Sequence, residues 1–247
     1  MRKYVEEWGR HAIKLIQQQT SFSIHTKSSE DDLVTSVDRN LELKLRSWIH
    51  NRYPTHQIIG EEHGLSDQVS DHLWILDPID GTTNFVKQGK NYGMLIAYYY
   101  QHQPILGAII DVLNEDIYIA EVNQAVFKNG VPMEGPKPLR LSESLVSIDP
   151  GFASSFKSFE ALKKQCFKMR YIGACSLDSL GVINGEFGVF VSHQGHVWDY
   201  AVPFVFAKVL NLGVCRLDGS VFDPFTASDM VLYNPGMEAE IREVLYA

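Results

Sequence analysis

The chain has little cysteine, fewer cations than acids and no long apolar run. Cysteine occurs only at Cys166, Cys175 and Cys215 among 247 residues. The number is odd and no Cys-x-x-Cys pair exists, so no disulfide framework can be read, which favours a reducing compartment. Lys and Arg total 22 against 30 Asp and Glu, a net charge of −8. That deficit argues against a nucleic-acid partner, which calls for a basic field. A phosphorylated substrate stays admissible if cations sit between protein and phosphate. The longest apolar candidate, Tyr200 to Cys215, is broken by Pro203 and Lys208, too short for a bilayer span. Met1 to Arg10 is charged and lacks the apolar core of a secretory leader. A cytoplasmic protein without a membrane partner is the expectation. No internal repeat or low-complexity tract is visible.

Hydrophobic residues make up 45% and charged residues 21%, enough for a core without disulfides or a structural metal. Val5, Trp8, Ala12, Leu15 and Ile16 recur at helical spacing and predict a helix over residues 3–19. Residues 23–34 are polar and read as a loop. A second helix follows Thr35 or Ser36, with Thr35 and Asp38 spaced as a capping box, and Tyr53-Pro54 ends it. The stretches 57–60 and 73–77 read as short strands ending in turn residues and acids. Residues 92–100, 104–113, 117–122 and 125–128 read as an antiparallel meander, with Asn129-Gly130 as a hairpin signal. Both early helices are expected to cover it. The prolines near 135–140 suggest a boundary. Residues 1–135 would form an α+β half with an antiparallel sheet and most of the acidic site, and 136–247 an α/β half contributing Asp199 and substrate contacts.

Carboxylates gather beside turn residues in Gly60-Glu61-Glu62-His63-Gly64, in Asp77-Pro78-Ile79-Asp80-Gly81-Thr82-Thr83-Asn84-Phe85, in Trp198-Asp199 and, more weakly, in Asp31 to Asp38. Asp77 closes an apolar run and Pro78 favours a turn. That turn would aim the Asp77 and Asp80 carboxylates and the Ile79 carbonyl into one space. An all-oxygen set suits Mg²⁺ better than zinc. Gly81 and Thr82 would open a helix whose N–H groups can receive an anion. Taken singly, Asp77 and Asp80 also fit turns, Asp38 a helix-start charge, Asp199 an N-cap and Glu62 a solvated neighbour.

Together these strings resemble the inositol monophosphatase family of Mg²⁺-dependent, lithium-sensitive phosphatases. The Asp-Pro-Ile-Asp-Gly-Thr-Thr-Asn-Phe signature spans Asp77 to Phe85, with Gly60 to Glu62, Trp198-Asp199 and Asp32 to Asp38 in family order. The resemblance implies a layered α-β-α-β-α sandwich of the sugar-phosphatase type, combining α+β and α/β halves. It implies two or three Mg²⁺ ions: Glu61, Asp77 and the Ile79 carbonyl hold the first, and Asp77, Asp80 and Asp199 the second. Glu61 and Thr82 would orient the attacking water, Asp38 would support the Thr82 hydroxyl, and the Gly81 and Thr82 amides would bind phosphate. Asp80, Gly173, Cys175, Ser192 and Asp199 fall at substrate-contact positions. Inositol-specific members carry Ala where Cys175 stands and Glu where Ser192 stands, so a ring-binding carboxylate is missing. The implied partners are a small phosphorylated metabolite and a second copy in a homodimer. Inositol 1-phosphate or a similar polyol or sugar phosphate is the expected substrate. The same superfamily also offers 3′-phosphoadenosine 5′-phosphate, NADP and fructose 1,6-bisphosphate, and a further alternative is an interaction protein retaining the fold.

Overall fold

The computed structural model describes residues 1–19, 23–26, 33–153 and 156–246. Asp31 and Asp32 lie outside the described residues. The chain opens with α1 (Arg2–Gln17), β1 (Ile24–Thr26), β2 (Leu33–Thr35), α2 (Ser36–Arg52), β3 (Gln57–Gly60), β4 (Gly64–Leu65), β5 (His72–Asp80) and α3 (Thr82–Gln88). A meander follows through β6 (Gly93–Tyr100), β7 (Gln103–Asp111), β8 (Asp116–Glu121), β9 (Val126–Lys128) and β10 (Val131–Met133). The remainder runs β11 (Leu145–Ile148), α4 (Pro150–Ala153), α5 (Phe159–Gln165), β12 (Lys168–Arg170), α6 (Cys175–Ile183), β13 (Val189–His193), α7 (Val197–Leu210), β14 (Gly213–Cys215), β15 (Asp229–Tyr233) and α8 (Glu238–Leu245).

Two sheets and three helical layers make the sandwich. The larger sheet has eight strands in the order β10-β9-β8-β7-β6-β5-β3-β4; the smaller has five, β12-β11-β13-β15-β14. Period-two alternation sorts each strand between two apolar layers. Trp74, Leu76, Met94 and Ile96 face α1 and α2, which present Val5, Trp8, Leu41 and Leu45. Ile75, Leu95, Ala97 and Tyr99 face the opposite way, into a core shared with α6, α7 and Phe190 and Leu232 of the second sheet. Val146, Val189 and Val231 point outward beneath Leu162 of α5 and Ile241 of α8. Both faces of both sheets are thus covered.

The predicted meander and its hairpin are present, Asn129 and Gly130 both having positive φ. The predicted capping box at Thr35 and Asp38 is formed. One reading needs correction. The polar stretch 23–34, read as a loop, contains β1 and part of β2, a short antiparallel pair without an apolar pattern to betray it. The second half alternates strands and helices as expected, around a mixed sheet: β11 pairs in parallel with β12 and β13, whereas β15 pairs antiparallel with β13 and β14. No helix among the described residues is long and apolar enough to cross a membrane.

Candidate active site

The acids meet where β5 leaves the large sheet. Asp77 and Asp80 belong to one strand rather than to the expected turn. Three residues apart, they would face opposite sides of a regular strand. The ladder to β6 resolves this: Asp77 pairs with Leu95 but Asp80 with Gly93, so β5 carries one extra residue there. That bulge re-aims the side chains, and Pro78, which has no N–H to donate, sits within it. Asp199 arrives from α7. It is the third residue of that helix rather than its cap, and its carboxylate accepts the His196 N–H at 2.6 Å. Carboxylate oxygens of Asp77, Asp80 and Asp199 lie within 4.8 Å of one another. Glu61 is outside that trio but adjacent, as a hydrogen-bond and charge neighbour of Asp77.

The electrostatics are unfavourable for bare carboxylates. Burial, then the charges of Glu61, Asp80 and Asp199, pushes Asp77 well above the carboxylate range. Burial pushes Asp80 up to about 6 against the Ser176 hydrogen bond, and the Asp199 charge adds to the rise. The Asp80 oxygens accept the Cys175 N–H at 3.1 Å, the Ser176 N–H at 2.6 Å and the Ser176 hydroxyl. Asp80 therefore caps α6 from 95 residues away, where the N-cap residue Ala174 has no side-chain acceptor of its own.

Behind β5, α2 supplies two buried acids one turn apart. Asp38 accepts the Thr35 N–H at 3.1 Å, and its other oxygen accepts the Thr82 hydroxyl at 3.1 Å. The same hydroxyl lies 3.0 Å from the Ile79 carbonyl oxygen. Burial raises Asp38 while bonds from Thr35 and Thr82 oppose the shift. Glu42 accepts Arg46 Nε at 2.7 Å, the Glu62 N–H at 2.7 Å and the His63 N–H at 3.2 Å, clamping the turn after Glu61. Gly81, at φ 85°, starts α3; a Cβ there would come within 2.9 Å of Ala174 Cβ.

A cavity of about 320 Å³ opens beside Asp80 and Asp199. Gly173, Cys175 and Ser192 all line it, together with Asp149, Tyr171, Asp178, His193 and Gln194. Burial, then Asp199 and Asp80, raises the Cys175 thiol well above its ordinary value, so it stays protonated. Sequence reasoning missed Glu42, Asp149 and Asp178. Asp178 accepts the N–H groups of Ile172, Gly173 and Ala174 at 3.0–3.3 Å and so holds the cavity wall. An acid beside the apolar stripe of α2 was the available signal for Glu42; nothing local marked Asp149.

The model of the inositol monophosphatase family matches residues 1–244. The chain belongs to this family. It is 26% identical to the inositol-1-monophosphatase of Bacillus subtilis (strain 168) over 250 residues, 98% of this chain and 93% of that one. It is 30% identical to the fructose-1,6-bisphosphatase/inositol-1-monophosphatase of Thermotoga maritima over 239 residues, covering 96% and 88%. A crystal structure of an IMPase/NADP phosphatase complexed with Mg²⁺ and phosphate superposes with a TM-score of 0.91 at 31% identity, covering 100% of this chain and 95% of that one. The chain is accordingly a phosphoric monoester hydrolase of a metal-dependent family.

Proposed function

We propose that this family phosphatase uses Mg²⁺ to hydrolyse a small phosphate monoester, inositol 1-phosphate or a similar polyol or sugar phosphate. One observation carries the metal requirement. The buried acids Asp38, Glu42, Asp80 and Asp178 are all matched by N–H donors, whereas Asp77 Oδ1 is buried without a hydrogen-bond partner. An unmatched buried carboxylate among like charges is costly, and a hard divalent cation is what an all-oxygen set suits. Glu61, Asp77 and the Ile79 carbonyl would hold one ion, and Asp77, Asp80 and Asp199 another. When bound, two or three Mg²⁺ ions neutralise the phosphate and acidify water for in-line attack.

The chain's own groups do the rest. Thr82, held against Asp38 and Ile79, orients the attacking water together with Glu61, whose carboxylate takes its proton. The Gly81 and Thr82 N–H groups donate to phosphate oxygens. The leaving alkoxide takes a proton from water beside Asp199. With water as the attacking group no protein nucleophile is needed, and no phosphoenzyme is expected. Among the described residues, no Lys or Arg lines the cavity beside Asp80 and Asp199. This favours a substrate with one phosphate over fructose bisphosphate or NADP, whose additional phosphates seek cations. The complete acid set weighs against a purely interacting role. A homodimer remains part of the reading, by resemblance.

Phosphate release from inositol, sugar and nucleotide phosphates, with Mg²⁺ and with or without Li⁺, tests the proposal. Asp80→Asn is expected to lose at least about tenfold to hundredfold in kcat/KM, the range already seen for groups that only support metal ligands. No turnover of any substrate, or full activity in Asp80→Asn, would overturn it.

A further inference from the structure

The cavity contains one acid that neither joins the carboxylate trio nor secures its wall. Asp178 is occupied by three backbone amides. Asp80 and Asp199 belong to the trio. Asp149 remains, one residue beyond the end of β11. Parallel pairing sets Ile148 opposite Val191, so Asp149 emerges beside Ser192 at the carboxyl ends of adjacent strands. Ligands of open α/β sheets bind at such strand ends.

The surroundings make Asp149 a fixed acceptor. Its Oδ1 receives the Gly151 N–H at 2.6 Å, which holds the carboxylate in a tight turn. Tyr171 lies against it: burial and then the Asp149 charge raise the phenol, which keeps its proton and can donate. On the neighbouring strand, His193 stacks on Phe152 of α4 with ring centroids 3.8 Å apart, tying the two strand ends together. Ser192 is turned toward Tyr200, 3.2 Å between hydroxyl oxygens. A carboxylate and a phenol, with no Lys or Arg in the lining, form a surface for hydroxyl groups rather than for a second phosphate.

We propose that Asp149, supported by Tyr171, is a specificity-determining residue that accepts hydrogen bonds from hydroxyls of a polyol leaving group. It supplies from β11 the carboxylate that Ser192 on β13 lacks. The inference rests on the phosphatase reading above and names the leaving group of that same site.

The test compares inositol 1-phosphate with p-nitrophenyl phosphate, which offers no hydroxyl to Asp149. In Asp149→Asn, kcat/KM for inositol 1-phosphate falls about tenfold to hundredfold, chiefly through KM, the range for losing a bond to a charged acceptor. The p-nitrophenyl phosphate value stays within about twofold, since that ester makes no such bond. Tyr171→Phe, which leaves the carboxylate and its turn intact, shows the same selective loss at smaller size. Equal losses on both substrates, or no loss on either, overturn the inference while leaving the phosphatase reading standing. A wild-type chain that cleaves p-nitrophenyl phosphate but no polyol phosphate overturns the inference alone, and one that cleaves no phosphate ester of the panel above overturns both.

Discussion

Replacing Glu42 should damage both stability and the acid site, although its carboxylate belongs to neither the carboxylate trio nor the cavity. Its side chain is fully buried and accepts Arg46 Nε and two consecutive backbone N–H groups from residues 62 and 63. Gly60 packs so closely that any Cβ would strike the Glu42 carboxyl group. In Glu42→Ala each donor left unmet costs about 1–3 kcal/mol, and breaking a buried ion pair from one side costs about 3–5 kcal/mol. These terms overlap, and the Arg46 side chain retains 16% exposure, so it recovers some hydration. The expected net loss is about 3–5 kcal/mol, read as the free energy extrapolated from urea unfolding. The turn it clamps carries Glu61, so Mg²⁺ affinity, measured by calorimetry on the folded variant, should weaken about tenfold to hundredfold. Glu42→Gln preserves the shape and one acceptor, and should lose about 1–2 kcal/mol with a smaller change in affinity. A loss below about 1 kcal/mol in Glu42→Ala, or unchanged Mg²⁺ affinity in both variants, would refute the reasoning.

Further expectations concern metal, backbone and pH. Mg²⁺ at about 100 times its Kd should stabilise the fold by about 2.7 kcal/mol, seen as a higher Tm that chelation reverses; an unchanged Tm in Asp77-intact protein would count against the site. Gly81→Ala forces an alanine into the left-handed region at a cost of about 1–2 kcal/mol and presses on Ala174, so both Tm and kcat/KM should fall. His56 accepts the Trp74 indole N–H at 3.0 Å through Nδ1 and stacks on His72 with centroids 4.3 Å apart. Burial, then His72, lowers its pKa from 6.5. The unfolded chain therefore binds this proton more readily. The contribution is present above about pH 6.5 and lost as pH falls toward the folded-state value. Asp77 and Asp80, both raised, act in the opposite sense in either protein, so His56 is read from the difference: between pH 7.5 and 5.5 the unfolding midpoint should change less favourably in the wild type than in His56→Gln; equal slopes would exclude His56 as the cause.

The parts of the fold legible in the sequence are those whose signal is local. The apolar stripe of α2, the meander's alternation, the Asn129-Gly130 turn and the Thr35–Asp38 box each lie within a few residues. The pair β1 and β2 carried no such pattern and was missed. At the site, the acids were visible as residue types beside turn formers, but their geometry was not. A bulge in β5 depends on the partner strand: Leu95 and Gly93 set where the extra residue falls. Glu42 reads as an ordinary helix charge until the turn at 62–63 folds onto it. Asp149 gains meaning only through the register of β11 against β13.

Helix ends explain why so many acids tolerate one another here. Asp38 lies in the first turn of α2, Asp199 in the first turn of α7, and Asp80 receives the first N–H groups of α6. The helix α3 also begins at the site, directly after Gly81. Unpaired N–H groups and the positive ends of helix dipoles offset part of each negative charge. The offset is local to each acid: it reaches Asp38, Asp80 and Asp199 but leaves Asp77 Oδ1 without a donor. Asp77 is the acid flanked by Glu61, Asp80 and Asp199 together. A cation held among these acids would relieve the repulsion on Asp77, and the helix ends would go on stabilising Asp80 and Asp199 without competing for it.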